Sequence, residues 1–263
     1  MISSIACIVP RHRDPAHSGC CLLHLFTILM AKGISKERSP ANAIILTTEA
    51  HLSANAQTSW PHRFIGGALC LDFVNTIDLP GTPKERNLLA DYDALIAWSV
   101  ARGAMPTATA EKLLRLAKAA PTEAGNVLAD ALALRGTIRQ LAETAQTHGE
   151  LSPLLPSINA HLAHLTFPPR LLSREPGGAS YDLPGQNLAE PLWPVLWTLS
   201  TLLVSDDLGK LGSCHAHDCQ AIFIDHTNNR SRIWCASDLC GNRERVRRAY
   251  RAKQVKGTSP DSR

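Results

Sequence analysis

The 263-residue sequence is poor in aromatic side chains, which make up only 5% of its residues. It also has no apolar run of the roughly 18 residues that cross a bilayer, and no regular glycine repeat. The shortage of aromatic residues disfavours a sandwich or barrel of aromatic and β-branched strands. The lack of a long apolar run disfavours a transmembrane protein, and the lack of a glycine repeat disfavours a collagen-like rod. Because 44% of the residues are hydrophobic and 19% are charged, the chain can instead bury a sizeable core.

Catalytic signatures are also missing. The sequence has no phosphate loop, no dinucleotide fingerprint and no recognisable Ser-His-Asp arrangement. We therefore expect a protein that is not an enzyme.

Alanine and leucine dominate the middle of the chain, which predicts a mainly α-helical domain over residues 62–207. Asp91 is placed to cap one helix, residues 107–119 form a second, and Pro121 begins a long third that ends near Thr147. A β-hairpin is expected between residues 170–174 and 179–183. The last helix of this domain, residues 188–204, is expected to bury Trp197.

Positive charge is concentrated near the C-terminus. Residues 226–256 carry nine Lys and Arg side chains against two acids, a net charge of +7 in a chain whose total is +4. The remainder of the chain is therefore mildly acidic, with a net charge of −3. This asymmetry favours a polyanionic partner for the basic segment, with nucleic acid ahead of a membrane surface.

Four of the eight cysteines lie in the same region, in two C-x4-C pairs separated by fifteen residues: Cys214, Cys219, Cys235 and Cys240. Two close pairs joined by a hairpin-length segment are typical of one tetrahedral structural zinc. Two disulfides are the alternative. Four thiolate ligands leave no open position for catalysis, and they require a reducing compartment, so we expect a cytoplasmic protein.

The residues around these pairs predict a small treble-clef-like zinc finger over residues 210–256. Residues 220–225 alternate like a strand, and residues 231–234 are expected to return antiparallel to them. A helix then begins at Asn242, with Val246 and Tyr250 packed inward onto the hairpin. The candidate nucleic-acid contacts are the arginines of the turn and of this helix: Arg230, Arg232, Arg243, Arg247, Arg248 and Arg251. A merely solvated charged face is the alternative.

The segments CHAHDC, FIDHTNNRSR and WCASDLCGNRERVRRAYRAK resemble the CGNR zinc-finger module. Upstream, FIGGALCLDFVNT and RNLLADYDALIAW resemble the helical ABATE domain that precedes this finger in bacterial proteins, so that the likeness covers about residues 62–256. The resemblance implies that the four clustered cysteines bind zinc. It also implies a stress-response transcription regulator whose partner is double-stranded DNA. An RNA-binding or protein-interaction module using the same basic finger is the alternative.

Polar residues of the helical domain suggest a second site. Asp72, Asn75, Thr76 and Arg86 could line a pocket for a small-molecule effector. The alternative is that they form helix caps or a polar network between domains.

The two ends of the chain do not follow the pattern of the rest. We expect residues 1–58 to be disordered or a non-native extension, and residues 257–263 to be a disordered tail. Residues 11–13 followed by the apolar residues 20–30 also allow a signal peptide, and translation from Met30 is another alternative.

Overall fold

A computed structural model describes residue 60 and residues 62–80, 82–83, 85–163, 170–173 and 177–257. The expected extension over residues 1–58 lies outside these ranges. So does the expected tail, apart from Gly257, which ends the last helix.

The described residues contain seven α-helices, six of them before the cysteine pairs: α1 (Leu69–Val74), α2 (Tyr92–Ala101), α3 (Thr107–Ala119), α4 (Pro121–Gln146), α5 (Leu155–Ala163) and α6 (Trp193–Leu203). The Asp91 carboxylate accepts a hydrogen bond from the backbone N–H of Ala94 at 2.7 Å and so caps α2. Pro121 occupies the first turn of α4, where it has no helical N–H to lose. The predicted mainly α-helical fold class is confirmed.

The helical domain also contains two short antiparallel sheets. Strands β1 (Ile77–Asp78) and β2 (Arg86–Asn87) pair across one loop. Strands β3 (Leu171–Ser173) and β4 (Ala179–Tyr181) pair with Leu171 opposite Tyr181, which confirms the hairpin predicted for this segment.

The core is built from apolar faces of the helices packed on one another, with Phe73 and Trp98 at its centre in tilted ring contact at 5.3 Å between centroids. Trp197 was predicted to be buried, and this is wrong. It is 43% exposed and stacks edge-on against Tyr181 of β4, because the buried stripe of α6 is formed by Val195, Leu196, Leu199 and Leu202 instead.

The last part of the chain contains strand β5 (Leu211–Ser213), strand β6 (Ile222–Ile224), a π-turn (Ser237–Gly241) and helix α7 (Asn242–Gly257). A short hairpin plus a helix is present as predicted, but its pairing differs. Strand β6 pairs with β5, so the hairpin encloses the first cysteine pair rather than separating the two pairs. Residues 231–234 form no strand, since Asp225 and Arg232 hold them as a loop.

Within the described residues, no helix is both long enough and apolar enough to cross a membrane.

Candidate metal centre and nucleic-acid interface

The four clustered cysteines meet at one point of the fold. Their Sγ atoms all lie within 4.8 Å of one another, with 3.6 Å between Cys219 and Cys235 and 3.4 Å between Cys235 and Cys240. All four are free thiols. A tetrahedral zinc with Zn–S bonds of about 2.3 Å separates its sulfur ligands by about 3.8 Å. The four sulfurs therefore fit one zinc ion.

Backbone hydrogen bonds place the ligands. Cys214 follows β5, and its N–H donates to the Ala221 carbonyl at 2.8 Å, which closes the loop that carries Cys219. Cys240 lies in the π-turn, one residue before Gly241. A Cβ on Gly241 would lie 2.9 Å from Cδ1 of the Trp234 indole, so glycine is needed where this ring packs under the turn.

Zinc binds cysteine as the thiolate. Among the four sulfurs the surroundings favour that form at Cys214 alone, because neighbouring thiols raise the pKa of Cys219 and Cys235 and burial raises the pKa of Cys240. Hydrogen bonds from Cys219 and Cys235 lower the pKa of Cys214. The Arg243 guanidinium lies 3.4 Å from the Cys240 sulfur, where its positive charge stabilises a thiolate. The chemistry that such a centre supplies is structural, because all four ligand positions are taken by protein.

Arg232 braces the finger from within. Its guanidinium packs over the Phe223 ring at 4.0 Å from the centroid. It also donates hydrogen bonds to four backbone carbonyls, those of Ile65, Ile224, Trp234 and Cys235. These contacts use four of the five N–H donors that the guanidinium could offer to nucleic acid.

Asp225 anchors the loop after β6, which also contains Arg230. Its carboxylate accepts hydrogen bonds from the Thr227 hydroxyl and N–H and from the Arg232 N–H, at 2.6 to 2.9 Å. Although burial raises the pKa of Asp225, these hydrogen bonds and the charge of Arg232 lower it overall. Arg230 adopts a positive φ of 49° in this loop and its guanidinium lies 3.4 Å from the Gly209 carbonyl.

Four of the five arginines of α7 fall into two groups, whereas the fifth, Arg245, donates to backbone carbonyls. Arg243 and Arg247 make ion pairs with acidic side chains of the finger. Arg248 and Arg251 are exposed, and no carboxylate of the described residues lies within ion-pair distance of either. Val246 and Tyr250 were predicted to pack inward, and this is wrong: they are 61% and 64% exposed, because α7 extends away from the hairpin.

The residues suggested for an effector pocket are each engaged in polar contacts. Asp72 is buried, accepts from Arg102 Nε at 2.6 Å and from the Gly66 N–H at 2.8 Å, and burial raises its pKa despite the Arg102 charge. The Asn75 side-chain amide forms two hydrogen bonds to the Ile222 backbone, at 2.8 and 2.9 Å. Thr76 accepts from Arg135 at 2.9 Å, whereas Arg86 pairs with Asp78 at the surface. These contacts fit the network alternative, and the effector pocket stays a prediction.

Two polar contacts of the structure were not predicted from the sequence. Arg135 is buried on α4 and links Thr76 to Asn87, while burial and the neighbouring Arg139 lower its pKa to about 10. Asp218, inside the first cysteine pair, faces the arginines of α7. An acid within the CHAHDC segment was the available clue to it.

Comparison with known families agrees with this architecture. The family ABATE, described as "Putative stress-induced transcription regulator", matches residues 67–206. The CGNR zinc finger matches residues 210–254, which include all four clustered cysteines. A search of curated proteins finds no match. Since the ABATE match covers more than half of the chain, this protein belongs to the ABATE family and carries a CGNR zinc finger after the helical domain.

Proposed function

We propose that the protein is a zinc-dependent, cytoplasmic transcription regulator that docks helix α7 on double-stranded DNA. The observation that carries the proposal is that α7 is anchored at its beginning and exposed along most of its length. Zinc ligand Cys240 anchors the beginning of the helix, and its side chains then extend into solvent with Arg245, Arg248, Arg251 and Lys253 exposed. A basic helix that is anchored at one end and exposed along most of its length can enter a groove of DNA without any other part of the protein unfolding.

Within α7, Arg248 and Arg251 are the strongest candidates for phosphate contacts because no acid among the described residues neutralises them. Arg245 donates to the Gly241 and Ser237 carbonyls and so supports the beginning of the helix. Arg232 braces the finger, and we assign it no contact with DNA.

The helical domain is proposed to act as a sensor or interaction domain. Support for interaction comes from exposed apolar side chains around the β3–β4 hairpin and α6: Leu171, Leu172, Trp197 and Val204. Leu171 pairs with Tyr181 in this hairpin, and the Tyr181 ring contacts Trp197, so exposed apolar side chains of the two elements lie together, as at a contact surface.

The alternative function, an RNA-binding or protein-interaction module, draws on a different observation. Val246 and Tyr250 are exposed one turn apart on α7, an apolar pair suited to a protein partner. Tyr250 could also stack on an unpaired base.

The test is a salt series of binding to duplex DNA and to single-stranded RNA. Arg248→Ala and Arg251→Ala should each weaken binding to all DNA sequences, and each should lower the slope of log K against log salt by about one unit. Arg115→Ala, an exposed arginine on α3, is the matched control and should leave both quantities unchanged. Wild-type affinity for DNA in both α7 variants would refute the proposal, and tighter binding to RNA would favour the alternative.

A further inference from the structure

The first cysteine pair carries an acid that holds two arginines of α7. One oxygen of Asp218 lies 2.5 Å from Arg243 Nη2, and the other lies 3.4 Å from Arg247 Nη2. The two arginines are one helical turn apart, so a single carboxylate spans them. We refer to Asp218, Arg243 and Arg247 as the Asp218 clamp.

A second carboxylate completes the local charge balance. Glu244 on α7 accepts from Arg247 Nη1, and it lies 3.4 Å from the backbone N–H of His217. Two guanidinium groups therefore face two carboxylates, and this set of four side chains carries no net charge even though α7 as a whole is strongly basic.

The clamp is not what holds α7 in place. Cys240 anchors the start of the helix as a metal ligand, and Arg245 ties its first turn to the Gly241 and Ser237 carbonyls at 3.1 and 3.0 Å. The side chains of Asp218, Arg243 and Arg247 remain 26%, 42% and 31% exposed, respectively. Ion pairs with this degree of exposure are weak and salt-sensitive, so a competing anion can displace them.

A carboxylate and a phosphate present similar oxygen pairs to a guanidinium fork. We propose that Asp218 occupies a phosphate-binding site formed by Arg243 and Arg247, and that a phosphate of the nucleic-acid backbone replaces it on binding. The inference rests on the proposed function for the identity of this phosphate. Asp218 then limits affinity, because each binding event must first break the Asp218 clamp.

The experiment compares Asp218→Asn with Asp238→Asn in the full-length, zinc-loaded protein. Asp238 is a good control because it lies in the same finger, pairs with Arg63 at 2.5 Å and changes the net charge equally when replaced. Affinity for duplex DNA and elution from heparin are measured over a salt series, with zinc content determined for each variant.

Asp218→Asn should bind DNA about 3- to 10-fold more tightly, with a salt slope steeper by one to two units, because two arginines become available. Asp238→Asn should change affinity by less than about 2-fold. Arg247→Ala should also cost more affinity in the Asp218→Asn background than in the wild type, a difference that a general charge effect does not produce.

Equal behaviour of the two Asn variants would overturn the inference. So would weaker binding by Asp218→Asn with zinc retained, since the carboxylate would then position the arginines for their ligand. If no variant binds DNA but Asp218→Asn elutes later from heparin than Asp238→Asn, the anion site stands and the DNA function fails. If Asp218→Asn loses zinc, Asp218→Ser replaces it in the same comparison, and loss of zinc there as well would assign Asp218 a structural role and overturn the inference.

Discussion

Strand β6 and helix α7 belong to the same zinc finger, yet their surroundings are opposite. All three residues of β6 are buried; Ile222 and Ile224 join the core of the helical domain, and Phe223 joins the cluster around the cysteines. Most of the described part of α7 is exposed, including the apolar side chains of Val246 and Tyr250. The finger is therefore attached to the ABATE domain through its strand and leaves most of its helix exposed to solvent.

Hydrogen bonds from backbone and side-chain groups attach the finger to the helical domain, in addition to apolar packing. The Ile224 N–H donates to the Gly66 carbonyl at 2.9 Å, and the Asn75 amide takes both polar groups of Ile222. Gly66 is in turn held by the buried carboxylate of Asp72. Residues of the FIGGALCLDFVNT segment therefore form the part of the helical domain that strand β6 of the finger contacts.

Loss of the metal should produce the largest effect, because structural zinc contributes on the order of 10 kcal/mol to folding. Cys235→Ser should abolish zinc binding and unfold the finger. It should also lower the melting temperature of the helical domain by more than about 10 °C, because Ile222 and Ile224 leave its core. Elemental analysis and circular dichroism melts measure both. Cys70→Ala, a buried cysteine far from the cluster in sequence, should keep one zinc per chain. An unchanged helical melt in Cys235→Ser would show that β6 contributes nothing to that core.

Asn75→Ala directly tests the hydrogen bonds between the helical domain and strand β6. It leaves the N–H and carbonyl of Ile222 without partners in a part-buried position, and should lower the free energy of unfolding by about 2–3 kcal/mol. Urea unfolding measures the change. Asn159→Ala, an exposed site on α5, should cost under about 0.5 kcal/mol. Equal effects of the two variants would contradict this role for Asn75.

The loop between β6 and the second cysteine pair should be sensitive to acid. The pKa of Asp225 is lowered in the folded state, so its stabilising contribution is full above its unfolded value of about 4 and is lost as pH falls through the folded value. Asp225→Asn should lower the melting temperature by about 3 °C at pH 7, and by progressively less below about pH 4. Thermal melts from pH 3 to 7 test this. A pH-independent difference would mean that the carboxylate charge is irrelevant.

The smallest effect on stability is expected for a substitution in α7, the exposed element of the finger. Tyr250→Ser removes a large side chain from α7, but the ring is 64% exposed, so the melting temperature should change by less than about 1 °C. Phe223→Ser, by contrast, removes a fully buried ring from the finger and should be strongly destabilising. A large loss of stability in Tyr250→Ser would show that α7 packs against the protein.

Local pattern predicted the helical elements well. The Asp91 cap, the helix over residues 107–119 and the start of α4 at Pro121 follow from residues adjacent in sequence, which is where capping and propensity act. The hairpin of the finger was paired wrongly. Its strand partner was chosen by sequence proximity, whereas the fold pairs β6 with β5 across the first cysteine pair.

What the sequence determined by itself is the chemistry of the metal centre. Four cysteines in two C-x4-C pairs predict a tetrahedral thiolate site, because ligand type and number set the metal and its geometry, and the structure agrees by leaving all four as free thiols. Only the tertiary structure decided the roles of the polar and basic residues. Arg232 and Arg248 have the same side chain, yet one donates to four backbone carbonyls and the other lies in solvent. A guanidinium takes its role from the acceptors around it, and folding brings those acceptors from positions as distant in the chain as Ile65.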